Sequence, residues 1–312
     1  MAEPLPLGLG ALRLTRPRVV RAPGAEGGWD GWGVRDPMPL LGEDGRCPAG
    51  PLVCYHTASR DGREQSVGRI VSRDGGETWS TERDGPVFGR DPGGWDSMVA
   101  TSPAVVRLAD GTHRMYYRGG PAVLDNGVGL ASSTDGMAFT RCGTGPILTP
   151  RDFAAMPQDR PIAMGVMNIS RLLDGRWMLC FEAVGAASGR GRVFAAVSDD
   201  GLRFTAFNGG RPLFSPRFVR SWPVDSVANP RLTVLEDAGL YMLSFNGADA
   251  AGMYGLGLAF SEDLVHWREH PGNPLLLPSG TPLDDPFSGR IEGGFPLKED
   301  LLSGADPVRW FC

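Results

Sequence analysis

The chain has 312 residues, a formal net charge of −5 and 41% hydrophobic residues. That length admits two domains, and the acidic balance argues against a nucleic-acid partner. No apolar run approaches the roughly 20 residues of a membrane span, and the first residues lack a basic start and a long apolar core. The expectation is a protein with no membrane segment. Five cysteines, Cys47, Cys54, Cys142, Cys180 and Cys312, are an odd number without a CxxC pair. They point away from disulfides and structural zinc and toward a cytoplasmic or other reducing compartment, and neither metal nor cofactor is expected.

In chain order, 7–23 (LGLGALRLTRPRVVRAP) opens with β-like apolar runs. Next comes a strand–turn–strand phrase, DPMPLLGEDGRCPAGPLVCYHT (36–57). It recurs as SPAVVRLADGTHRMYYRGG (102–120), MNISRLLDGRWMLCFEAVG (167–185), NPRLTVLEDAGLYMLSFNG (229–247) and GGFPLKEDLLSGADPVRWFC (293–312). The Asp-Gly pairs at Asp110 and Asp174 between apolar runs are hairpin signals. Pro37, Pro103, Asn168, Pro230 and Phe295 mark corresponding points of these phrases.

A second phrase alternates with the first. It reads VGRIVSRDGGETW (67–79), VGLASSTDGMAF (128–139), VFAAVSDDGLRF (193–204) and LGLAFSEDLVHW (256–267). Its turn aspartates, Asp74, Asp135, Asp200 and Asp263, step by 61, 65 and 63 residues. Short β segments at that period mark a radial repeat. The reading is an all-β, five-bladed β-propeller, with strands A to D in each blade and one domain over 1–312, because no blade buries both faces alone. The fifth repeat ends before its C and D strands, and 7–23 is expected to supply them, which removes an open sheet edge.

Ligands of propellers gather at one end of the channel, where loops from every blade converge. The loops before each strand A read GGWDGWGVRDP (27–37), GGWDSMVATSP (93–103), MPQDRPIAMGVMN (156–168), SWPVDSVANP (221–230) and DDPFSGRIEGGFP (284–296). Each carries at least one acid, including Asp30, Asp36, Asp96, Asp159, Asp225 and Glu292. Trp29, Trp95 and Trp222 stand eight residues before a strand-A proline. The far ends of the B strands return His56, Arg118, Glu182 and Asn246 to the same rim. Paired carboxylates with tryptophan faces suit glycoside chemistry, one carboxylate serving as base or nucleophile and another as acid. Taken one at a time, the aspartates equally suit loop turns and the tryptophans suit gaps between blades.

Five such blades, Asp36-Pro37 at the first strand A and the Ser-x-Asp-Gly phrases resemble the five-bladed propeller glycosidases, the arabinanase, levansucrase and invertase superfamily with glycoside hydrolase families 43, 32, 68, 62 and 130. The resemblance spans the chain in layout and implies that Asp36 is the general base. It departs from the family at two places. Ala104 stands where family 43 has the aspartate that tunes the acid, and no Glu accompanies Asn229-Pro230. The acid is then Glu182 or Glu292, with Asp225 or Asp96 as tuner or sugar-hydroxyl anchor. A small polar ligand, a sugar or sugar-like molecule, is the expected partner. Trp29, Trp95 and Trp222 are expected to stack on it. Arg35, His56, Arg118, Arg231, Arg290, Asn168 and Asn229 are expected to bind it. The box SRDGGETW (72–79) also fits the sialidase Asp-box, for which Arg35, Arg231 and Arg290 would bind a carboxylate. A phosphorylase, isomerase or lyase on the same scaffold, or an inert binding propeller, stays open beside the hydrolase.

Overall fold

A computed structural model describes residues 21–153, 155–252 and 254–277, with the backbone of 295–296 and 310–311. Strands β1 (Gly33–Pro39), β3 (Leu52–Ser59), β4 (Gln65–Ser72) and β5 (Ser80–Thr81) form the first blade. The second is β7 (Val99–Arg107), β8 (His113–Gly120), β9 (Gly127–Ser133) and β10 (Thr140–Arg141). The short β2 (Leu41–Gly42) joins the second blade beside β7, and β6 (Phe88–Gly89) pairs with β4. The third blade is β11 (Pro161–Arg171), β12 (Trp177–Gly185), β13 (Gly191–Ser198) and β14 (Thr205–Ala206). The fourth is β15 (Ser226–Leu235), β16 (Leu240–Ala248), β17 (Tyr254–Ser261) and β18 (Arg268–Glu269). Strands β19 (Phe295–Pro296) and β20 (Trp310–Phe311) make a separate two-stranded ladder.

The architecture is thus a β-propeller, and four blades are complete among the described residues. The expected count of five is not met by complete sheets. The strands assigned to closure at 7–20 lie outside the described residues, as do Arg290, Glu292 and Cys312.

Local chemistry accounts for the hairpins. In the A–B turn of blade two, Leu108 N–H donates to Thr112 O and Gly111 N–H donates to Leu108 O. Gly111 has φ +86, a left-handed value that glycine adopts without steric cost. The Asp110 carboxylate accepts from Thr112 N–H and its hydroxyl, a side-chain turn that makes the loop self-sufficient in hydrogen bonds. Gly175 repeats the geometry in blade three with φ +83.

The Ser–Asp phrases build the C–D turns. Ser72 Oγ donates to Asp74, and Ser133, Ser198 and Ser261 do the same to Asp135, Asp200 and Asp263. Neighbouring blades are tied there. Tyr55 Oη donates to Gly136 O at 2.8 Å and Tyr116 Oη donates to Gly201 O at 2.7 Å. Each tyrosine is buried and its one polar side-chain atom finds a partner in another blade's turn.

The pairing register gives each blade a common ruler. Ser72, Ser133, Ser198 and Ser261 lie opposite Leu52, His113, Trp177 and Tyr241. Counting along the B strands from those residues aligns Thr57, Arg118, Glu182 and Asn246 in one row. The adjacent row, pointing to the other face, is His56, Tyr117, Phe181 and Phe245. This corrects the expectation for His56: the blade-one residue in the Arg118–Glu182–Asn246 row is Thr57. The same ruler corrects blade three. Met38, Ala104, Asn168 and Arg231 pair with Tyr55, Tyr116, Cys180 and Ser244, so Met167, not Asn168, stands level with the prolines.

Candidate active site

Each strand A carries a break in register. It falls between Arg35 and Met38, between Thr101 and Ala104, between Met164 and Met167, and between Ala228 and Arg231. Bulges of this kind re-aim a side chain. In three blades the residue before proline is left-handed: Asp36 has φ 53, Ser102 φ 49 and Asn229 φ 48. A non-glycine residue in that region costs about 1 kcal/mol, least for Asp and Asn.

The bulges bring Asp36 and Ser102 together across blades one and two. Asp36 Oδ2 accepts from Thr57 Oγ1 at 2.8 Å and from Ser102 Oγ at 3.1 Å. Thr57 Oγ1 in turn accepts from Thr101 Oγ1 at 2.7 Å and from Ser102 N–H at 3.0 Å. Arg35 Nε lies 3.7 Å from the same carboxylate oxygen. One oxygen of Asp36 is therefore held, while Oδ1 takes no hydrogen bond among the described residues. An orientated carboxylate with a free oxygen has the form of a general base.

Glu182 comes from strand B of blade three. Its Oε2 accepts from the Asn229 N–H of blade four at 2.8 Å. The Asn229 side chain donates to Asn246 Oδ1 at 3.0 Å, and Asn246 donates to Gly255 O at 3.1 Å. The bulge of blade four thus aims a backbone donor at the carboxylate of blade three. Glu182 also fills the space beside Gly165, where an added Cβ would lie 2.2 Å from Oε1 and 2.4 Å from Cγ. Gly165→Ala is expected to push Glu182 off its Asn229 contact. A shift of about 1 Å in a reacting group costs on the order of 100-fold, so kcat/KM should fall by about that factor. Steady-state kinetics checks it, and unchanged kinetics would show that the position of Glu182 is immaterial.

Two guanidinium groups share the field of these carboxylates. Burial pulls the Arg118 guanidinium below its ordinary range, opposed by Asp36 and Glu182 and aided by Arg35. Burial likewise lowers Arg231 to about 10, against the favourable charges of Asp36 and Glu182. Asp36 and Glu182 both favour the charged form of each guanidinium. Arg231 is 3% exposed and donates from Nη1 to Pro230 O. The Cys54 thiol, within reach of its charge, is pushed up to about 12 by burial and is inert at neutral pH.

Several expected ligands are occupied elsewhere. Asp96 is completely buried, accepts from Tyr117 Oη at 2.9 Å and pairs with Arg141. Asp30 pairs with Arg21. Asp159 accepts from Ala187 N–H, Ser188 N–H, the Ser188 hydroxyl and Arg192, and against the opposing effect of burial these partners hold it down to about 2. Asp225 faces Arg190 at 3.5 Å on the rim. Asn168 is buried, and its Oδ1 accepts from Leu232 N–H at 2.9 Å, stitching blade three to blade four.

The three selected tryptophans lean on the second B-strand row. Trp29 stacks on His56 with centroids 6.3 Å apart, Trp95 lies 6.0 Å from Tyr117 and Trp222 stacks 5.8 Å from Phe245. Gly68, Gly119 and Gly257 leave room for them, since an added Cβ would meet each ring within 3.0 Å. One face of each indole is thus taken up by its own blade. His56 Nε2 is buried with no hydrogen-bond partner, and burial pushes the pKa of the ring below the usual histidine value. The His56 ring packs against Trp29, and its burial disfavours the charged form.

Sequence reasoning passed over Trp32. It is 61% exposed, lies over Gly62 and is anchored by its backbone N–H, which donates to Ser59 O just before β1. The WDGW pattern offered two indoles, and only the fold tells which is covered. Thr57 and Ser102 were also missed, because hydroxyl residues carry no distinctive spacing.

No protein-family profile matches the chain, and no curated protein matches it. Solved structures match through their fold. A structure described as an RGII complex is 18% identical, with TM-score 0.67, covering 89% of this chain and 82% of its own. A structure from work on the family 130 mannoside phosphorylases, which contain glycoside hydrolases that target β-1,2 mannosidic linkages in Candida mannan, is 18% identical with TM-score 0.62, covering 91% and 86%. The endo-arabinase of Bacteroides thetaiotaomicron is 18% identical with TM-score 0.54, covering 76% and 79%. At these identities the likeness is one of fold.

Proposed function

We propose that the chain is a carbohydrate-active enzyme that cleaves glycosidic bonds at the channel mouth. The observation that carries the reading is the geometry of two carboxylates, Asp36 held through Oδ2 by Thr57 and Ser102 and Glu182 aimed by Asn229 N–H of the next blade. Asp36 Oδ1 takes the proton of the attacking water while Thr57 and Ser102 hold Oδ2. Glu182 protonates the leaving oxygen and is aimed by Asn229 N–H. The structural neighbours, an endo-arabinase and a member of the mannoside phosphorylase family that contains glycoside hydrolases, are consistent with this chemistry. Release of reducing sugar from a panel of glycans tests it. Turnover lost in Glu182→Gln with the fold retained is the expected result. Failure to turn over any glycan, with or without phosphate, would sink the reading.

Trp32 serves as an open stacking platform for a sugar beyond the cleaved bond. Trp32→Ala is expected to raise KM about 3- to 10-fold, with kcat and melting temperature little changed, because the ring is largely exposed. A KM that does not move would remove Trp32 from the site.

The ring is proposed to hold five blades. Strand β20 lies beside β1, as the B strand of a fifth blade should. Residues 7–23 would complete that blade. Deletion of 1–20 is the direct test, with a lowered melting temperature expected and an unchanged one removing the segment from the ring.

A further inference from the structure

We propose that the substrate is an acidic glycan, with an oxyanion carried on the sugar seated against Arg118. This rests on the reading of the channel mouth as a carbohydrate site. Arg118 belongs to the B-strand row that also presents Thr57, Glu182 and Asn246, one residue from each described blade. Of its guanidinium, only Nη2 finds an acceptor among the described residues, the Val123 carbonyl at 2.8 Å. Nε is shut off from solvent with no acceptor. Asp36 and Glu182 favour its charge from a distance.

Both carboxylates have other partners. Asp36 Oδ2 is held by two hydroxyls and approached by Arg35, and Glu182 Oε2 by Asn229 N–H. A neutral sugar would leave the Arg118 donors poorly matched when it displaced water from them, whereas a fork of guanidinium donors suits a carboxylate or phosphate ester. Guanidinium donors without an acceptor among the described residues are at Arg118, which is why the anion is placed there and not at the rim. Burial of this cation is a cost that an anionic ligand offsets.

Calorimetric titration with short uronic-acid oligosaccharides and with their carboxyl-reduced neutral counterparts tests the idea without any variant. The expected result is binding of the acidic series at least about tenfold tighter than the neutral one. Arg118→Gln should weaken acidic binding about 10- to 100-fold, Arg118→Lys should restore part of it, and Arg73→Gln in the blade-one C–D turn should change nothing. Equal binding of the two series, or acidic binding untouched in Arg118→Gln, overturns the inference and leaves the carbohydrate reading standing. Turnover of neutral glycans that requires inorganic phosphate and is lost in Arg118→Gln also overturns it, and makes the anion a cosubstrate. Binding of no saccharide of either series overturns both.

Discussion

Asp36→Asn is expected to cut kcat about 10²- to 10⁴-fold while leaving the fold intact. The amide removes the proposed base. It keeps an oxygen that accepts from Thr57 Oγ1 and Ser102 Oγ. It also keeps the left-handed backbone at φ 53, since Asn tolerates that region as well as Asp does. Asp36→Ala differs in both respects, and should lower stability by a further 1 kcal/mol or so (about the cost of backbone strain alone). Kinetics on the glycan identified by reducing-sugar release, alongside calorimetric melting, separates the two effects. An Asn variant that is fully active would show that Asp36 is not the base. One that melts early would make the carboxylate a structural group.

Asp96→Ala should instead cost stability, about 3 kcal/mol. The carboxylate is completely buried and receives Arg141 Nε, Arg141 Nη2 and Tyr117 Oη. Its loss leaves the Arg141 guanidinium with Gly89 O and the Phe88 ring, 4.5 Å from the ring centroid, and leaves Tyr117 Oη buried without its acceptor. A fall in melting temperature of roughly 5 °C follows for a chain of this size. A stable variant with weakened ligand binding would reverse the assignment and return Asp96 to the site.

These two aspartates mark where local sequence stops being informative. Both sit in similar loops near a strand-A proline, and both were candidates. Asp36 lies inside a bulged strand, where the reversed backbone turns its carboxylate toward Ser102 of the next blade. Asp96 lies before its strand and meets Arg141, a residue 45 positions away. Nothing in local spacing distinguishes them, because the difference is made by a partner from another part of the chain. The tryptophans teach the same lesson. Trp29 and Trp32 belong to one short loop, yet one stacks on His56 and the other faces solvent.

The radial repeat, the hairpins, the Ser–Asp turns and the strand row holding Arg118, Glu182 and Asn246 can be read from the chain alone. Those features depend on period-two alternation and on turn chemistry within a few residues, which are written locally. The pairing register puts Thr57, not His56, in that row, and long-range contacts occupy Asn168 with Leu232 N–H and Asp96 with Tyr117 and Arg141. The closure of blades also joins Asp36 to Ser102 and Glu182 to Asn229 N–H. A one-residue difference in register turns a strand side chain to the opposite face, and charges meet across the channel only when blades from distant sequence close around it.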